Sequence, residues 1–240
     1  MVAGHGGRDA PPHQAAHVVV VPGLGLTAYL RPLVRALELR GVRATVLDVP
    51  GHHHRRTTTP PTVQAIARAT ADALAARPPS ERLLLLGHST GAQAALQAAL
   101  LVQGRRPVSG VVLAGPTVAP TQRRLDLLAL TSGMAYRRDS PRELVVLPEV
   151  LRARLRLLTL LRSAITDRPE RHVAALRSPL LLTAGRADSF SPPWWLEVLA
   201  TGATRSPSVQ VARLPGSHNN PYTHARALAE LVTVGMLADP

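Results

Sequence analysis

Six short runs of β-branched or leucine residues recur along the chain, at His17–Val21, Arg43–Val49, Arg82–Leu86, Val108–Ala114, Pro179–Thr183 and Ser208–Leu214. Longer Ala/Leu-rich stretches with helical spacing lie between and after them: Thr27–Arg40, Thr62–Ala76, Thr90–Gln103, Pro192–Ala200 and Pro221–Leu237. Strands that are apolar on both faces and alternate with helices belong in a parallel sheet covered on both sides. Right-handed crossovers then predict an α/β fold, a doubly wound, mostly parallel sheet of six core strands flanked by helices. With 240 residues and 45% apolar content, the chain can bury one sizeable core.

Two stretches break the rhythm. Residues 1–16 are rich in Gly, Pro and polar residues with no hydrophobic period, and read as a flexible tail. Residues 117–167 carry helical patterns only, at Arg123–Ala135 and at Pro141–Ile165 with an interruption at Pro148. That is more helix than one crossover needs, a whole crossover taking only about a dozen residues. It reads as a helical cap inserted into a core formed by residues 17–116 and 168–240; the alternative is a pair of long crossover helices lying on the sheet.

The third run leads straight into a helical pattern through Gly87-His88-Ser89-Thr90-Gly91. Gly-x-Ser-x-Gly between strand and helix is the nucleophile-elbow pattern, in which a sharp turn lifts the Ser hydroxyl above the sheet. The helix N-terminus beneath Ser89 favours negative charge there. A serine of ordinary acidity needs a base, itself oriented by a carboxylate, in the chain order Ser, acid, His. Asp188 follows the fifth run in Ala184-Gly185-Arg186-Ala187-Asp188, and His218 follows the sixth in Pro215-Gly216-Ser217-His218. Both fall past the carboxyl ends of strands, the edge at which open α/β sheets place their sites. Asp188 could instead be a turn carboxylate capping the next helix, and His218 a loop residue. The rival acids Asp126, Asp139 and Asp167 lie in the insert, and the rival base His224 lies in the final helical pattern. His88 is directed away from the Ser hydroxyl and is expected to pack. A tetrahedral intermediate also needs backbone donors for its oxyanion, and the expected pair is the N–H of Thr90 and the N–H of Leu24 in the turn Pro22-Gly23-Leu24-Gly25.

Taken together, Val21-Pro22-Gly23-Leu24-Gly25, Leu47-Asp48-Val49-Pro50-Gly51-His52, Gly87–Gly91, Ala184–Asp188 and Pro215–His218 resemble the α/β-hydrolase superfamily over Val18 to Leu237, with the cap unmatched. The resemblance implies Ser89 as nucleophile, His218 as base, Asp188 as its orienter, and no cofactor. Two departures stand out: Pro22 occupies the place of a common His before the oxyanion glycine, and the usual leading strands are absent. Hydrolysis of an ester, thioester, lactone or activated ketone through an acyl-enzyme is the implied activity. The same fold used as a lyase or cyclase in small-molecule biosynthesis, or as a ligand-binding protein, is the alternative.

Composition narrows the partners. Cysteine is absent, which excludes disulfides, thiolate metal sites and a Cys nucleophile. The formal charge of +13 comes from 28 basic residues, all Arg and scattered, and with aromatics at 2% there is little to stack bases on, so nucleic acid is not expected. His52-His53-His54 beside Arg55-Arg56 reads as a solvated loop rather than a metal site. Met134, Tyr136 and Leu147 in the insert and Trp194 after the acid are expected to line a pocket for a small molecule, an apolar acyl or ring compound. Neither a signal-like apolar stretch nor a run of membrane-spanning length occurs, so the expectation is a cytoplasmic protein without membrane contact. Nothing in the sequence indicates an oligomeric state.

Overall fold

The computed structural model describes residues 16–49, 59–128, 131 and 147–237. Six strands form one wholly parallel sheet: β1 His17–Val21, β2 Arg43–Val46, β3 Leu83–His88, β4 Gly110–Ala114, β5 Leu180–Gly185 and β6 Val209–Leu214. Their order is β2-β1-β3-β4-β5-β6. The chain therefore moves outward from β1 to β2 and then returns to build the other way from β3. That reversal leaves a crevice at the carboxyl ends of β1 and β3, where open α/β sheets bind ligands. β2 stops three residues short of the predicted Val49: among the described residues this edge strand has β1 as its only ladder partner, and its last bond to that neighbour is Leu47 N–H to the Val20 carbonyl at 2.9 Å.

Successive side chains on the strands enter opposite layers. Val18, Val20, Leu84, Leu86, Val112 and Leu181 pack against helices α1 (Arg31–Glu38) and α6 (Ala225–Val232). Val19, Val21, Leu83, Leu85, Val111, Leu113, Leu180 and Leu182 pack on the other side with α2 (Val63–Ala75), α3 (Thr90–Val102), α4 (Leu147–Thr166) and α5 (Pro193–Gly202). Burial on both faces accounts for the unbroken apolar runs in the sequence.

Local signals set the helix starts. The Thr62 side chain accepts the Ala65 N–H at 3.1 Å and caps α2, while Pro193 takes the first position of α5, where no N–H is needed. Pro148, expected to interrupt a helix, is the second residue of α4, a first-turn position that tolerates proline. The final predicted helix is broken instead: a single turn Asn220–Thr223 precedes α6, and His224 between them leaves helical geometry at φ −127°, ψ 37°. Among the described residues of the insert, all regular structure is helical, as expected. Much of the stretch 129–146, the tail before Ala16, and the His52–His54 run lie outside the described residues. No helix of the described residues is long and apolar enough to cross a membrane.

The amino edge of the sheet is closed by charge. His17, at the start of β1, hydrogen-bonds Glu81 at 2.9 Å and Thr45 at 2.8 Å, and Arg43 reaches the same carboxylate at 2.7 Å. A cleft of about 500 Å³ lined by His17, Glu38 and Gly41 to Thr45 opens there, at the opposite end of the strands from Ser89.

Candidate active site

Ser89 occupies the turn between β3 and α3 with φ 58° and ψ −127°, a backbone conformation that costs a non-glycine residue about 1–3 kcal/mol. The turn is this tight because its two glycines let main chains meet. A Cβ on Gly87 would lie 2.6 Å from Ala92 Cα and still closer to the Gly91 carbonyl oxygen, and one on Gly91 would lie 2.6 Å from the Pro22 carbonyl oxygen. The side chain of Ser89 is thereby lifted to the carboxyl edge, with the residue left 9% exposed.

There Ser89 Oγ stands 2.9 Å from His218 Nε2, and His218 Nδ1 stands 3.0 and 3.1 Å from the two carboxylate oxygens of Asp188. Three residues predicted from three separate strand ends thus converge on one chain of hydrogen bonds. Asp188 is buried, which by itself would raise its pKa. The charge and hydrogen bond of His218, with the N–H groups of Phe190 and Ser191, outweigh burial and hold the carboxyl below its ordinary range. Oδ1 accepts those two amides at 2.8 and 3.1 Å. Asp188 is therefore a turn-capping carboxylate and the partner of His218 at once.

Asp139 lies outside the described residues, and the other rival groups are elsewhere. Asp126 pairs with Arg124 on the surface, and Asp167 is buried between Gln97 and His172. His224 contacts the Thr223 hydroxyl at 3.0 Å. Among the described residues no cluster of His, Asp and Glu could hold a metal ion.

Both expected backbone donors flank the elbow. Leu24 adopts a left-handed conformation, φ 51°, and its N–H donates to the Thr90 hydroxyl at 2.9 Å. Thr90 opens α3, where the first N–H groups have no partner within the helix. Of the expected pocket residues, Met134 and Tyr136 lie outside the described residues, as does the side chain of Leu147. Trp194 keeps 40% of its surface exposed and lies edge-on to Trp195. The aromatic ring against His218 is that of Phe190, 4.6 Å between centroids, while Trp195 is wholly buried and donates from Nε1 to the Pro116 carbonyl at 3.0 Å.

His88 does more than pack. Its Nδ1 is 2.6 Å from the Tyr29 hydroxyl and its Nε2 is 2.9 Å from the His218 carbonyl oxygen. The Tyr29 oxygen in turn accepts the Gly23 N–H at 3.0 Å. Burial, followed by the charge of His218, lowers the His88 pKa to about 3, and burial raises that of Tyr29. Tyr29 carries no sequence signal of this role: it sits among the apolar residues opening a helix, and its partner His88 is 59 positions away.

Comparison with known proteins agrees with this fold. Residues 18–231 match the model of the alpha/beta hydrolase family. A stretch of 78 residues is 42% identical to Probable esterase PIR7A of Oryza sativa subsp. indica; the match spans 31% of this chain and about 30% of that protein's length. Among solved structures, YbtT, a type II thioesterase from the yersiniabactin NRPS/PKS biosynthetic pathway, superposes with a TM-score of 0.70 at 24% identity over 95% of each chain. RedJ, a thioesterase of the prodiginine pathway in Streptomyces coelicolor, superposes with a TM-score of 0.66 at 24% identity, over 97% of this chain and 90% of its own. A family match running from β1 into α6, on a parallel sheet with a strained Ser turn at its switch point, makes the chain a member of the α/β-hydrolase family.

Proposed function

We propose that the protein is a serine hydrolase that cleaves a small-molecule acyl thioester or ester through an acyl-enzyme on Ser89. The observation that carries this reading is the unbroken contact from Ser89 Oγ through His218 to Asp188, at 2.9 and 3.0 Å. As Ser89 Oγ attacks the carbonyl carbon, His218 Nε2 takes its proton, and Asp188 stabilises the imidazolium that forms. The oxygen of the tetrahedral intermediate accepts hydrogen bonds from the Thr90 amide and from the Leu24 amide, which turns to it from the Thr90 hydroxyl it meets at 2.9 Å in the free protein, each such donor being worth about 10²–10³ in rate. His218 then returns the proton to the departing thiolate or alkoxide. Water, deprotonated by the same His218, releases the acid and restores Ser89. Every proton in the cycle is carried by these side chains, so no cofactor is required.

The thioester as leaving group is favoured by the resemblance to YbtT and RedJ, and the ester by the stretch shared with PIR7A. The helical insert of residues 117–167 is proposed as the cap over this edge. In support, α4 is anchored where α2 and α3 begin: Ser163 Oγ accepts the Val63 N–H at 2.9 Å, and Gln93 donates to the Ala164 carbonyl at 3.0 Å.

A fluorophosphonate probe and a panel of acyl thioesters, p-nitrophenyl esters and lactones test the reading. Wild-type protein is expected to label once per chain and to turn over at least one acyl class. Ser89→Ala is expected to lose the label and about 10³-fold or more in turnover. Labelling elsewhere, or full turnover in Ser89→Ala, refutes it.

A further inference from the structure

The hydrogen bonds through Tyr29 and His88 can be assigned a direction at each step. The His218 carbonyl can only accept, so His88 Nε2 carries the proton of that 2.9 Å bond. A buried neutral imidazole has one N–H, so Nδ1 is the acceptor and the Tyr29 hydroxyl donates to it. The Tyr29 oxygen keeps a lone pair for the Gly23 N–H. The relay therefore runs Gly23 N–H to Tyr29 to His88 to the His218 carbonyl, with no donor or acceptor in conflict. Tyr29 is 4% and His88 1% exposed, so water does not substitute for any link.

What the relay joins is a set of loops with no covalent continuity. Gly23 follows β1 and precedes Leu24, His88 ends β3 and precedes Ser89, and His218 follows β6. The first two are in direct contact at the nucleophile, since a Cβ on Gly23 would lie 2.8 Å from Ser89 Cβ. Pro22 supplies no N–H, which leaves the Gly23 amide as the first donor after β1 by which the loop can be held. The support that the family resemblance leads one to expect from a His at the Pro22 position is thus supplied by Tyr29, six residues downstream of Gly23.

We propose that Tyr29 and His88 are positioning residues for the hydrolysis, setting the Gly23–Leu24 turn and the His218 main chain so that oxyanion donors and base face the same carbonyl. The inference rests on the serine-hydrolase reading above. A displacement of about 1 Å at such donors costs on the order of 10²-fold in rate, so the relay affects the tetrahedral state more than substrate binding.

The test compares Tyr29→Phe, His88→Leu and His88→Gln with wild type, using fluorophosphonate titration of active sites, kcat and KM per titrated site, and inhibition by an alkylboronic acid, whose tetrahedral adduct uses the same donors. Tyr29→Phe and His88→Leu are expected to label fully, keep KM within about twofold, and lose about 10- to 100-fold in kcat with a matching loss of boronate affinity. His88→Gln, which retains one acceptor and one donor, is expected to recover most of both. The double variant Tyr29→Phe/His88→Leu is expected to be little worse than either single change, because the relay acts as a unit. Unchanged kcat and boronate affinity per titrated site in Tyr29→Phe, or a His88→Gln protein as impaired as His88→Leu, overturns the proposal. If wild-type protein itself neither labels nor turns over, the hydrolase reading fails first, a result separable from failure of the relay alone.

Discussion

A methyl group on Gly115 would stand 3.2 Å from Asp188 Oδ2 and 3.3 Å from the His218 ring, on a backbone whose φ of +56° already disfavours any side chain. This glycine opens the turn after β4 and lies against both the acid and the base. Gly115→Ala is expected to cost about 1–2 kcal/mol in stability and, by displacing the imidazole from Ser89, about 10- to 100-fold in kcat/KM. Urea denaturation alongside esterase assays reads the two effects separately, and an alanine enzyme of wild-type activity would show that the contact is slack. At this scale, the residues legible in the sequence were those carried by local punctuation. Ser89 sits between two glycines, and Asp188 and His218 sit just past apolar runs. Tyr29 and the Thr90 hydroxyl had no such signal, because their partners His88 and Leu24 become neighbours only when β1 and β3 pair. The lesser exposure of Trp195 than Trp194 was hidden for a related reason: adjacent aromatics opening a helix do not show which of them points inward.

The elements themselves were more readable than their ends. All six strands and the helices flanking them follow from period and length, but β2 ends early as an edge strand, and the last helix breaks at His224 after a turn begun by Asn220 and Pro221. The attachment of α4 lay beyond periodicity, since a helical pattern does not reveal what covers it. Its last two turns are held by Leu160 and Ala164, both wholly buried, and by Gln97 Nε2 donating to Asp167 at 2.8 Å. Leu160→Ala should therefore destabilise the protein by about 2–4 kcal/mol through lost burial and the cavity left behind. Because none of these three contacts involves Ser89, His218 or Asp188, the fluorophosphonate labelling rate at temperatures well below unfolding should stay within about threefold of wild type. A much larger change in rate at unchanged stability would mean that the seat of α4 controls the geometry of the elbow.

At the scale of the whole molecule, strand order was not legible, because several crossovers of the same length could have built either edge of the sheet. The order places β1 and β3 side by side with their following loops diverging, and the relay through Tyr29 and His88 closes that divergence. Buried between Tyr29, His218 and Asp188, His88 stays neutral in the folded protein down to about pH 3 but gains a proton near its ordinary value of 6.5 once unfolded. Between those values the unfolded chain binds the additional proton, so stability rises with pH across this window and is lost as the medium is acidified below 6.5. The loss attributable to His88 is about 2 kcal/mol on going from pH 7 to pH 5. Asp188, whose pKa is lowered below the ordinary carboxylate value of 3.8, contributes stability that is lost only at greater acidity. Urea unfolding at both pH values for wild type and His88→Gln isolates the effect, since all other titrating groups are common to the two. Wild type is expected to lose about 2 kcal/mol more than the variant across this interval, and equal slopes would place the His88 imidazole in contact with water rather than within the closed relay.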